Sequence, residues 1–203
     1  MSFSDKTPHR TGVFQNTLLD SAVVMQDARL LEKLLTTGNK QYSHERAASA
    51  ALLRAAHLGK TEIAKILIKH GASVGWQHMC GQRNFSLLLA AHGGHTQMVE
   101  LLLENGADVN QTNALGHTAL FMAAKGGYLS IIHILLRFGA DARLCDRRGR
   151  TPLYFAIVAH HFGIAEFLRH IATTGRYCGD LLEDTLCDDS VSGTERPDVA
   201  SCA

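Results

Sequence analysis

The sequence predicts an all-α solenoid of about five stacked helical pairs, and three observations carry that expectation. Stretches recur in register: "GHTALFMAAKGG" at 116–127 returns as "GRTPLYFAIVAHH" at 149–161, with Gly116 and Gly149, Thr118 and Thr151, and Ala123 and Ala156 all separated by one constant interval. Gly38, Gly71, Gly106 and Gly139 repeat at that same interval, slightly lengthened between Gly71 and Gly106, each at the end of an apolar run. Those runs, including "IAKILIKHG", "MVELLLENG" and "IIHILLRFG", place apolar residues at i, i+3 and i+4, the stripe of one buried helix face. A lone unit cannot bury such a stripe, so its stability has to come from neighbours stacked against it.

Each element of the unit has its own reason. The glycine after the second helix suits a left-handed C-terminal position, where a Cβ is penalised. A second series, Gly59, Gly94 and Gly127, falls twelve residues earlier and marks the turn between the two helices. The shared register aligns Leu34, Leu67, Leu102, Leu135 and Leu168 as core positions of the second helix. The first helix contributes Ala55–Ala56, Ala90–Ala91 and Ala123–Ala124, small enough for neighbouring helices to approach closely. Thr118 and Thr151 stand where a cap is needed and are expected to accept hydrogen bonds from the first-turn amides. Pro152 follows at a position where a missing N–H costs nothing.

The units fall near 13–44, 45–79, 80–112, 113–145 and 146–175. The end units depart from the pattern, as units with one neighbour are expected to. Gln26 replaces the turn glycine and Val23 the second alanine in the first unit; His160, Ile157 and Ala172 replace the turn glycine, the alanine and the terminal glycine in the last. The junction "GASVGWQHMCGQRN" is two residues longer than the others, so the finger holding Trp76 and Met79 should project.

At 46% hydrophobic residues the chain can build a core, and no apolar run nears the roughly 20 residues that span a bilayer. The opening "MSFSDKTPHRTG" lacks a secretory layout, and the 5 cysteines contain no C-x-x-C pair. They are read as reduced thiols of a cytoplasmic or nuclear protein. The net charge of +1 hides an asymmetry. From Thr173 onward two arginines face seven acids, a net of −5, which leaves +6 and all 12 histidines in the body. Such a body favours an acidic partner, or a tail that competes for the same surface. Residues 1–12 read as a flexible tail, and 176–203 as an acidic, mostly disordered one with a candidate capping helix at 180–186. A fragment or variant of a larger multidomain protein stays open.

The segments "TPLYFA" at 151–156, "GADVN" at 106–110, "GASV" at 71–74 and "GHTALFMAAKGG" resemble ankyrin repeats, and the resemblance covers roughly 13–172. It implies units of a β-turn finger followed by two antiparallel helices, and a protein partner held by finger tips and by the concave face of the first helices. Carried across residue by residue, the contact positions are Arg46, His57 and Leu58 in the second unit and Gln82, Asn84 and His92 in the third. The fourth gives Ala114, Leu115, His117 and Lys125, and the fifth Arg147, Arg148 and Arg150; Trp76 adds an apolar contact from the long finger. The implied role is a monomeric, non-catalytic scaffold or adaptor. "LLLENGADVN" also resembles a preferred site of asparaginyl β-hydroxylation at Asn110, against a structural asparagine bonding within the finger.

Chemistry beyond binding finds little footing. Cys80 with His78 lacks a third group to orient a base, and no phosphate-loop, H-E-x-x-H or G-x-S-x-G motif occurs, so no enzyme and no cofactor are expected. His57 and His92 are register equivalents, but two ligands make no structural metal site. The strongest basic cluster, Arg143, Arg147, Arg148 and Arg150, is either a solvated finger or a contact for an acidic protein. A nucleic-acid-associated regulator is the alternative, weakened by the absence of interleaved aromatics. Leu115 is an interface anchor or a leucine folded back on its own turn.

Overall fold

The computed structural model describes residues 18–37, 43–75 and 85–174. The expected tails, the 180–186 helix and the long finger with Trp76 and Met79 lie outside them. Among the described residues there are ten helices and no strand: α1 (18–25), α2 (Ala28–Thr37), α3 (Ser43–Leu58), α4 (Thr61–Lys69), α5 (Ser86–His92), α6 (Thr96–Glu104), α7 (Ala119–Gly126), α8 (Leu129–Arg137), α9 (Pro152–Val158) and α10 (Phe162–Thr174). They form five pairs. The first helices α3, α5, α7 and α9 stack in one row, and α2, α4, α6 and α8 stack in a second, giving an all-α repeat solenoid. No helix among the described residues is long and apolar enough to cross a membrane.

The alanine pairs explain the close stacking of the first row. Ala55, Ala56, Ala90, Ala91, Ala123 and Ala124 are all fully buried, so a larger side chain at any of them would push its neighbouring helix outward. In the second row Leu67, Leu102, Leu135 and Leu168 are buried as the register requires. The first unit differs: Leu34 is half-buried, while Leu31 and Leu35 enter the core. With α4 as its second-row neighbour among the described residues, α2 packs its stripe toward α4.

The turns between paired helices carry the inter-unit lock. Gly94 has φ 74°, and a Cβ there would come within 2.6 Å of the Tyr128 ring of the next unit. His95 sits in the same way over Gly59 and His161 over Gly127, and His95 Nε2 also lies 3.0 Å from the His57 carbonyl oxygen. At the ends, Gln26 and His160 take the same left-handed backbone, φ 58° and 61°, without the glycine that makes it easy. Ala172 stops nothing, and α10 runs on to Thr174.

Two expectations need correction. Thr118 and Thr151 stand at N-cap positions with extended backbone, but neither hydroxyl bonds a first-turn amide. The helix start is held by the backbone, Met122 N–H donating to the Thr118 carbonyl at 3.4 Å, and Thr118 Oγ1 is buried without a partner among the described residues. The reading of five free thiols fails at Cys145, which is disulfide-bonded.

Candidate functional site: the finger tips

The fingers preceding α7 and α9 show how the sequence builds a projecting turn. In the first, Asn113 Oδ1 accepts from Leu115 N–H at 2.9 Å and His117 N–H at 3.0 Å, while Asn113 N–H donates to the His117 carbonyl at 3.0 Å. A short side chain that bonds its own following backbone is the device that Asn and Asp bring to turns. In the second finger, one repeat later, Asp146 Oδ1 accepts from Arg148 N–H at 2.8 Å and Arg150 N–H at 2.9 Å. Asp146 N–H closes the turn on the Arg150 carbonyl at 2.9 Å. The two fingers are joined: Arg147 N–H donates to the Leu115 carbonyl at 3.1 Å.

Asp146 is buried and carries charge, so its surroundings decide whether it is an acid or a strut. Burial alone would raise its carboxyl, but the guanidinium and backbone N–H of Arg150 and the backbone N–H of Arg148 outweigh it and hold the group far below the usual carboxylate range. Arg150 donates from Nε at 2.8 Å and a terminal nitrogen at 2.7 Å, both to Oδ2, and its own ionisation is pushed up by that contact. The guanidinium also lies over Phe155, 4.8 Å from the ring centre. His117 completes the cluster. Its ring packs on Phe121 and Phe155 at 5.4 and 5.2 Å, and Nε2 lies 3.4 Å from Asp146 Oδ2. Arg150 and His117, both expected as contact positions, are held at the finger's root by Asp146.

The tip is different. Arg147 and Arg148 are exposed, as is Arg143 at the base of the same finger. Leu115 is 60% exposed, so it is not folded back on its own turn, while Ala114 beside it is half-buried. On the first-helix row Arg46, His57, His92 and Lys125 are exposed, and Leu58 is partly so. Trp76, Gln82 and Asn84 lie outside the described residues. No group of three or more metal-ligating side chains occurs among the described residues.

Asn110 bonds both within its own finger, its N–H donating to Asp108 Oδ1 at 3.0 Å, and through its side chain to the next unit. Its Oδ1 accepts from Asp141 N–H at 2.9 Å, and its Nδ2 donates to the Gly139 carbonyl at 3.3 Å. Sequence reading alone passes over Asn113 and Asp146. A signal for them exists: each stands three residues before a glycine of positive φ, Gly116 and Gly149, and the pair keeps the repeat interval.

Comparison with known proteins agrees with the repeat architecture. A family model described as ankyrin repeats (3 copies) matches residues 19–113 and 87–175. No curated protein gives a match.

Proposed function

The chain belongs to the ankyrin-repeat family, whose members are in general protein–protein interaction modules, and from that premise we propose a non-catalytic scaffold or adaptor that grips an acidic protein by its finger tips. One observation carries the reading: exposed Leu115 and exposed Arg147 stand on adjacent fingers tied by a single backbone bond of 3.1 Å. An apolar anchor beside two arginines suits a partner that offers an apolar side chain flanked by carboxylates. His57, His92 and Lys125, in equivalent places along the first-helix row, continue the basic surface away from the fingers. Because the roots of the fingers are already hydrogen-bonded, little ordering cost falls on this side of the contact. In this reading the protein acts as a monomer, and β-hydroxylation of Asn110 would appear as one added oxygen on its peptide after exposure to a hydroxylase.

The test separates tip from root. Leu115→Asp should abolish capture of the partner from a cell extract, read by quantitative mass spectrometry, while urea unfolding stays at the wild-type midpoint. Capture that survives the substitution removes the anchor. Capture that disappears on nuclease treatment would instead favour a nucleic-acid bridge.

A further inference from the structure

We propose that the stack opens between its second and third units, so that helices α1–α4 come loose as one block while α5–α10 stay folded. In a solenoid each unit touches only its neighbours, so the weakest junction sets where the stack comes apart. The junction between the third and fourth units shows what a strong one holds. There the Asn110 side chain binds the Asp141 N–H and the Gly139 carbonyl, and Arg137 of α8 donates to Glu100 of α6 at 2.8 Å.

One junction earlier both devices are missing. "GASVG" at 71–75 aligns with "GADVN" at 106–110, so Gly75 holds the place of Asn110. Without a side chain it reaches neither the Gly106 carbonyl nor the Asp108 N–H, the equivalents of the two groups that Asn110 binds. Lys65 and Glu104 stand at the places of Glu100 and Arg137, with the charges exchanged. They do not pair, because Lys65 turns to Glu62 of its own helix at 2.8 Å. A groove lined by Glu62, Lys65, Gln97, Glu100, Leu101 and Glu104 opens between α4 and α6.

The second unit closes on itself instead. Ser73 N–H, the equivalent of Asp108 N–H and Asp141 N–H, donates to Ser49 Oγ of α3 at 2.9 Å. That buried hydroxyl donates in turn to the Glu45 carbonyl at 2.7 Å. Among the described residues, the one polar contact across the junction joins His95 Nε2 to the His57 carbonyl. The buried alanines of α3 and α5 still stack there, so the closed form prevails and the open one is its minor companion. Leu115, Arg147 and Arg148 all belong to the block that stays folded. The partner contact proposed for them, on which this consequence rests, therefore survives the opening.

Native-state hydrogen exchange on the full chain, in urea below the unfolding midpoint, reads the junction without any partner. Peptides 43–58 and 61–69 should share one opening step and exchange about tenfold or more faster than 86–104 and 119–137. A Cβ on Gly75 meets nothing within 4 Å, so Gly75→Asn has room to restore the missing bonds. It should slow exchange of 43–69 by about fivefold or more. Asn110→Gly should do the reverse one junction later and bring 86–104 close to the rate of 43–69. A single rate across 43–137 in the wild-type chain would overturn the proposal. So would a fast 43–69 block that Gly75→Asn leaves unchanged, since that is ordinary fraying of an end, or wild-type exchange of 86–104 in Asn110→Gly.

Discussion

The fingers at 113–118 and 146–151 solve one geometric problem with different chemistry. Each turn is drawn by a side-chain oxygen that accepts two backbone N–H bonds, and each closes on a left-handed glycine. Asn113 does this with a neutral amide. Asp146 does it with a buried carboxylate, and so must also recruit Arg150. The difference shows that an arginine-rich finger is not uniformly a recognition surface. Arg150 holds the turn, while Arg147 and Arg148 at the tip and Arg143 at the base stay exposed.

The sharpest break in the comparison is at the glycines. A Cβ on Gly116 would lie 3.1 Å from Asp146 Cα and Arg147 N, where the first finger meets the second; on Gly149 it would meet nothing within 4 Å. Gly116→Val is expected to destabilise by about 3 kcal/mol and Gly149→Val by about 1–2, the strain of positive φ alone, in urea unfolding. Equal costs would mean that the fingers do not pack as described.

Next come the turn acceptors. Asp146→Ala orphans two backbone donors and leaves Arg150 without its carboxylate, and should cost about 2–3 kcal/mol; Asn113→Ala orphans donors only and should cost about 1–2. A larger loss at Asn113 would reverse the ranking of the two roots.

The charge difference also has a pH signature. The folded Asp146 carboxyl ionises far below its unfolded value of roughly 3.9, so its contribution is fully present above about pH 5 and is lost as pH falls through and below 4. Asp146→Asn should flatten that part of the stability–pH curve, whereas Asn113→Asp should steepen it. Chemical unfolding at stepped pH reads both.

The smallest effect lies at the ends. His160 holds φ 61° where interior units have glycine, and His160→Gly should gain up to about 1 kcal/mol. A loss instead would show that the ring's contact with Phe162, at 5.9 Å, outweighs the backbone strain.

Much of this architecture is legible in the sequence, and the gaps have physical causes. The glycine spacing locates the turns because positive φ leaves a compositional trace, and the alanine pairs locate the stacking face because close approach does too. In the first unit the register points to Leu34 where the core takes Leu35, because periodicity fixes a stripe but not how an end helix rotates onto a single neighbour. Thr118 and Thr151 look like caps because residue type reports what a side chain can do. Where it points is set by packing. Charge alone groups Arg150 with Arg147 and Arg148, yet only the fold reveals that its guanidinium turns inward to Asp146 and Phe155.

The central claim is that finger roots hold the structure while finger tips hold the partner. The most direct test measures melting temperature and partner capture together for the Arg147→Glu, Arg148→Glu double variant and for Arg150→Gln. The double variant should keep the wild-type melting temperature and lose capture by about tenfold or more, whereas Arg150→Gln should lower the melting temperature. Wild-type capture by the double variant, or a wild-type melting temperature for Arg150→Gln, would contradict the division between root and tip.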